Sequence, residues 1–139
     1  MLQYKISATA EKRGTASALA NKSTIAFDAS AGRDANLPNP AELLLSALAA
    51  CILKNVERYS EILHYPYKSA RVTVKGERND SPPTMKRIDY LLEIDTDIDE
   101  RKLKNWHKNI VKFGTISNTI ANACELNGAI QYINKLKSK

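Results

Sequence analysis

A chain of 139 residues has room for one domain with a real core and little for a second, so a single domain over 1–139 is expected. At 43% hydrophobic residues it is neither disordered nor membrane-like in composition. The net charge of +6 admits an anionic small molecule; but the lysines are scattered apart from Lys135, Lys137 and Lys139, and the nine aromatic residues form no stacking row beside arginines, so a solvated basic face is expected and nucleic-acid binding is not.

The opening Met1-Leu2-Gln3-Tyr4-Lys5-Ile6 has no apolar h-region, which predicts a cytoplasmic protein without a secretory signal. Residues 3–11 alternate, with Tyr4, Ile6, Ala8 and Ala10 on one side, and predict a half-buried strand. Lys12-Arg13-Gly14 supplies a turn, and Thr15 to Leu19 and Thr24 to Asp28 complete a predicted antiparallel meander. Residues 29–39 carry loop chemistry. A helix then starts with Asn39 as cap, Pro40 at the first position and Glu42 at the third, where its carboxylate reaches back to the cap. From Leu43 to Leu53 it is apolar almost all round, which predicts burial on every side, yet this run is short of a bilayer span. Beyond Lys54 it turns amphipathic through Val56, Tyr59, Ile62 and Leu63. Two strands follow, one around Val72 and Val74 and one through Ile88, Tyr90, Leu92 and Ile94, joined by a hairpin loop at Asn79-Asp80-Ser81-Pro82-Pro83. Asp99 starts a second helix that carries Leu103, Trp106, Ile110 and Phe113 inward. A third is predicted from about Thr115 to Leu126, ended by Asn127-Gly128, with Ala129 to Ile133 as a closing strand.

For chemistry, Cys51 comes first. It lies about 16 Å along its helix from Pro40, too deep for the helix dipole to help form a thiolate. A reactive Cys51 therefore needs a cation brought in by the fold, and the plain alternative is a small buried apolar residue. Cys51 and Cys124 form no CxxC pair, and His64 and His107 stand alone, which argues against a structural metal. His64 reads as a helix-end residue and His107 as a surface one.

The stretch Asn39-Pro40-Ala41-Glu42-Leu43-Leu44-Leu45-Ser46-Ala47-Leu48-Ala49-Ala50-Cys51 resembles the signature of the OsmC/Ohr (osmotically induced protein C / organic hydroperoxide resistance) family. Lys12-Arg13-Gly14-Thr15 resembles that family's first-hairpin turn, which holds its active-site arginine, and Gly114-Thr115-Ile116-Ser117-Asn118 resembles the start of its second main helix. The resemblance implies an α+β fold: an intertwined homodimer, with antiparallel strands around a long buried central helix and active sites at the dimer interface. It also implies a first cysteine that attacks a hydroperoxide and becomes a sulfenic acid, and a second that closes a disulfide.

Two positions depart from that pattern. Gly114 stands where the peroxidases have the cysteine of Cys-Pro-x-Ser, and Ala41 stands where they have a glutamate paired with the arginine. Cys124 is predicted about 15 Å further along the third helix from Gly114, too far to replace the missing thiol, since bridged cysteines need Cα atoms within roughly 7 Å. Glu42, about 100° around the helix from Ala41, is explained by its capping role and is a weaker partner for an arginine.

The reading that follows is a thiol-dependent peroxidase-like protein with Cys51, Arg13 and Glu42 as candidate catalytic residues. Arg33 rivals Arg13 as the cation, and Lys12, Arg33, Leu48, Ile52 and Gly114 are candidate ligand-binding residues. No cofactor is expected to be tightly bound. An external low-molecular-weight thiol such as coenzyme A or glutathione would resolve the oxidised cysteine. The expected partners are a second copy of the chain and a small-molecule hydroperoxide or thiol, with no nucleic acid and no membrane. The competing reading is a non-catalytic protein that binds a thiol or acyl ligand, or senses redox state, on the same fold.

Overall fold

The computed structural model describes residues 1–133; the basic tail residues Lys135, Lys137 and Lys139 lie outside them. The chain divides into two units, Met1–Leu44 and Leu45 onward. The first holds the meander β1 (Ser7–Ala10), β2 (Thr15–Ala20) and β3 (Ser23–Asp28), antiparallel in that order. The first strand is shorter than its alternation predicts. Tyr4 and Ile6 precede it at 81% and 59% exposure, and the paired residues Ser7 to Ala10 are exposed too, so the expected half-buried face is corrected: β1 pairs along one edge with β2 and nothing in its unit covers its apolar side. Asn21 turns the second hairpin at φ 57, a left-handed conformation that asparagine tolerates.

The loop after β3 is organised by one carboxylate. Asp28 is buried; its Oδ1 accepts from Ser30 N (2.9 Å) and Ser30 Oγ (2.6 Å), and its Oδ2 accepts from Asp34 N (2.9 Å). These hydrogen bonds, the Ser30 hydroxyl first, hold the Asp28 carboxyl below its ordinary range.

Helix α1 (Pro40–Leu63) begins in this unit and continues into the second. That second unit adds β4 (Ser69–Asp80), β5 (Pro83–Asp95), α2 (Glu100–Lys112), α3 (Thr115–Ala121) and β6 (Glu125–Tyr132). The sheet order is β4-β5-β6. β4 pairs antiparallel with β5 as expected of a hairpin, but β6 pairs parallel to β5, so the expectation of antiparallel strands throughout is corrected. Parallel pairing is what a crossover through α2 and α3 produces. β5 is the central strand and buries Ile88, Tyr90, Leu92 and Ile94 by its two-residue period. The core adds Leu48, Ile52, Val56 and Tyr59 from α1, Leu103, Trp106 and Ile110 from α2, and Ile120 from α3. No helix among the described residues is long and apolar enough to cross a membrane.

Three helical expectations are corrected. The stretch Leu43 to Leu53 buries one face only, with Leu44 and Leu53 at 40% and 37% exposure. Phe113 is not inward: at the C-cap of α2 it is 53% exposed, stacked on Tyr59 with ring centroids 5.6 Å apart. Helix α3 stops at Ala121, and Asn127-Gly128 lies inside β6. Gly128 is glycine for packing and not for ending a helix. It pairs with Tyr90, and a Cβ added there would lie 1.9 Å from Tyr90 Cζ, so the phenol ring occupies the space of the missing side chain.

That ring reaches His107, which is therefore not a surface residue. Tyr90 Oη and His107 Nε2 are 2.6 Å apart, and the two rings meet edge to face. Burial pushes the Tyr90 phenol up to about 12 and His107 below its ordinary 6.5. The folded protein therefore takes up the His107 proton less readily than the unfolded chain does. The neutral ring's contribution to stability is full above pH 6.5 and is lost as pH falls below it, through the lowered folded value. The melting temperature should accordingly fall between pH 7.5 and pH 5, and His107→Gln, which has no proton to take up, should flatten that fall. Identical pH slopes in the two proteins would contradict this assignment.

Candidate functional site

In the first unit, Arg33 and Glu42 meet at the start of α1, while Lys12 and Arg13 stand in the β1–β2 turn. Asn39 Oδ1 accepts from Glu42 N at 2.8 Å, and Asn39 N donates to Glu42 Oε1 at 3.0 Å, a reciprocal capping box. Arg33 Nη2 donates to the same Oε1 at 2.9 Å. Glu42 is held below the usual carboxylate range chiefly by the Asn39 N–H and then by the Arg33 charge. Glu42 thus forms an ion pair with Arg33, and this pair ties the loop to the start of the helix.

Lys12 and Arg13 sit exposed in the β1–β2 turn. Gly14 N donates to Glu11 O at 3.1 Å, which makes Lys12 and Arg13 the central residues of a four-residue turn. Arg13 has φ 84, a conformation that favours glycine and costs other residues about 1–3 kcal/mol. Gly14, at φ 87, lies so close to the loop that an added Cβ would fall 2.8 Å from Ser30 Cα, so the turn is seated on Ser30. Among the described residues Arg13 makes no ion pair, whereas Arg33 does.

In the second unit, the site is a corner of backbone facing Cys51. Where α2 ends, its last carbonyls would be left without partners. Phe113 N donates to Asn109 O (3.2 Å), Gly114 N to Val111 O (3.2 Å) and Asn118 Nδ2 to Lys112 O (3.1 Å). The remaining carbonyl, Ile110 O, accepts from Asn55 Nδ2 at 3.0 Å. Asn55 is buried on α1, one turn after Cys51, so this hydrogen bond pins the Cys51 helix to the α2–α3 corner. Gly114 is the cap of α3. A Cβ placed on it would lie 3.1 Å from Cys51 Sγ, 2.8 Å from Ser117 Oγ and 3.3 Å from Ile110 O. The sulfur therefore rests directly over the bare Cα of Gly114.

Cys51 is half-buried and free, and Cys124 is likewise a free thiol. The sequence expectation that Cys124 lies on one helix with Gly114 is corrected, because α3 ends at Ala121. Cys124 follows the turn after α3, its N–H donating to Ile120 O at 3.0 Å, and it packs against the core. Leu48 and Ile52, expected as walls of a ligand pocket, are 0% and 1% exposed and belong to the core that supports the Cys51 helix. Asn55 and Ser117 were not singled out. Ser117 matches the serine of Cys-Pro-x-Ser and could have been found by that signal, whereas Asn55 looks like any polar residue of an amphipathic helix. Among the described residues no group of His, Cys, Asp and Glu side chains could hold a metal ion.

The sequence profile of the OsmC-like protein family matches residues 32–127, more than half of the chain and the part that holds Cys51, Gly114 and Ser117. No curated protein matches the chain in sequence. Among solved structures, an OsmC-like protein from Mycoplasma pneumoniae is similar with a TM-score of 0.86 at 21% identity, covering 96% of this chain and 99% of the other. An organic hydroperoxide resistance protein OsmC from Legionella pneumophila gives 0.75 at 14% identity, covering 94% and 99%. The organic hydroperoxide resistance protein OhrB of Bacillus subtilis gives 0.67 at 15%, covering 94% and 98%. These likenesses establish the fold, and with the profile match they show that the chain belongs to the OsmC-like protein family.

Proposed function

We propose that the protein reduces organic hydroperoxides through Cys51 alone, with an external thiol completing the cycle. The observation that carries this reading is the half-buried, free Cys51 sulfur resting on Gly114, where the family's peroxidases have their second cysteine. The Cys51 thiolate attacks the O–O bond of the hydroperoxide; the bond breaks, one oxygen stays on sulfur as a sulfenic acid, and the other leaves as the alcohol after taking a proton. An external thiol then displaces water to form a mixed disulfide with Cys51. A second thiol molecule attacks that disulfide, leaves as the oxidised carrier and restores the Cys51 thiol. The names of the Legionella and Bacillus relatives support the substrate class. Arg13, in its uncommon turn conformation, is the proposed cation for the thiolate.

The net charge of +6 favours an anionic carrier, coenzyme A or glutathione, with Lys12 and Arg13 open to its acidic groups. The exposed apolar residues Leu19, Ile25, Leu44, Leu53 and Ile62 support a homodimer. Sedimentation at twice 15.5 kDa tests that part.

The functional test is consumption of cumene hydroperoxide with dithiothreitol, glutathione or coenzyme A supplied in turn. Turnover with at least one thiol, reduced in Arg13→Ala, is the expected result. No consumption with any of the three would replace this reading by that of a binding or redox-sensing protein.

A further inference from the structure

We propose that the cleft between Tyr65 and the first two turns of α2 binds a phosphoryl group, held by Arg101, Lys102 and the Tyr65 hydroxyl. The inference goes beyond the Cys51 reading and does not rest on it. All of its residues belong to the second unit. The cleft has a volume of about 300 Å³ and is lined by Tyr65, Arg101, Lys102 and Asn105. That is the lower end of the range for ligand pockets, enough for a small anion and part of what carries it. On α2, Asn105 lies four and three positions after the two cations, so the three side chains share one flank of the helix.

One donor is fixed in advance. Tyr65 N donates to Ser60 O at 3.0 Å, Ser60 Oγ donates to Tyr65 O at 2.6 Å, and the ring meets Trp106 edge to face with centroids 5.8 Å apart. Asn105 Nδ2 donates to Tyr65 Oη at 3.1 Å, so the phenol accepts from the asparagine and keeps its own proton to give. Among the described residues, neither Arg101 nor Lys102 makes an ion pair, and no carboxylate lines the cleft. The two acids just before them in the chain are engaged elsewhere. Asp99 Oδ1 accepts from Lys102 N at 2.9 Å as the helix cap, and Glu100 lines a groove on the opposite flank of α2 with Ile130 and Tyr132. A guanidinium fork, an ammonium and a phenol O–H thus border one space. A phosphate monoester matches them, with three strong acceptor oxygens and a charge of about −1.5 to −2 at pH 7. A carboxylate brings a single charge and two oxygens, and leaves one cation unanswered.

The test is titration of the isotope-labelled protein at low ionic strength, followed residue by residue by amide NMR, with inorganic phosphate, adenosine monophosphate and acetate as separate probes. Phosphate and the monophosphate should each give saturable shifts at the Asn105 side-chain amide and the backbone amides of 101–105. The tighter of the two identifies the source of the phosphoryl group. Acetate should bind about tenfold more weakly. Arg101→Ala should lower the phosphate affinity about tenfold, and Tyr65→Phe, which keeps the ring on Trp106 and removes the O–H, about fivefold. Lys104→Ala, on the other flank of α2, should leave the affinity unchanged. Shifts that grow linearly and spread over exposed lysines, or acetate binding as tight as phosphate, would overturn the inference. So would an affinity that neither Arg101→Ala nor Tyr65→Phe changes. Neither hydroperoxide nor Cys51 enters the titration, so this inference and the peroxidase reading fail separately.

Discussion

Replacing Cys51 with serine should abolish hydroperoxide consumption, lowering it by at least about 10³-fold whichever thiol is supplied. An alcohol in this position is neither ionised near neutral pH nor able to form a disulfide, so both halves of the cycle stop. The substitution changes one atom of a side chain that rests on Gly114, so the fold and melting temperature should be retained. Cys124→Ser should leave consumption at the unmodified level, because that thiol packs against the core beyond α3. A Cys51→Ser protein retaining more than about a tenth of the activity would mean that the chemistry lies elsewhere.

The largest expected loss of stability is at Trp106. Its side chain is fully buried, its Nε1 donates to Val56 O at 3.2 Å, and the rings of Tyr65 and Tyr67 meet its edge at centroid distances of 5.8 and 5.7 Å. It joins α2 to α1 and to the segment between α1 and β4. Trp106→Ala should cost about 3–5 kcal/mol, from lost burial, the cavity left behind and the loss of the Nε1 hydrogen bond. That is a large share of the roughly 5–15 kcal/mol that holds a small domain folded. Urea unfolding followed by circular dichroism measures it, since the variant removes the chain's one tryptophan. A loss below about 1 kcal/mol would show that the α1–α2 contact is not the centre of the core.

Features set by near neighbours were legible in the sequence. Asn39, Pro40 and Glu42 define the start of α1 within four residues, and both capping hydrogen bonds are present. Asp99 caps α2 as expected, accepting from Lys102 N at 2.9 Å. The alternation of Ile88, Tyr90, Leu92 and Ile94 shows which face of β5 is buried. What failed depended on partners distant in sequence. Asn127-Gly128 has the composition of a helix end, but Gly128 is selected by the ring of Tyr90 across a parallel ladder. His107 sits on a charged helix, and it is half-buried where it meets that same tyrosine. Leu43 to Leu53 is apolar almost all round, yet composition cannot say how much of a surface its own chain covers. For the site, Cys51 and Gly114 were legible through the family resemblance, and their contact is now explicit. Asn55, which fixes that contact through Ile110 O, carries no local signal.

The central claim, a single reactive cysteine resolved from outside, is tested most directly by intact-mass and peptide analysis after one equivalent of organic hydroperoxide, with coenzyme A or glutathione present. The account predicts a mixed disulfide with the added thiol on Cys51 and an unmodified Cys124. A loss of two protons with no added mass, mapped to a Cys51–Cys124 bridge within one chain, would contradict it.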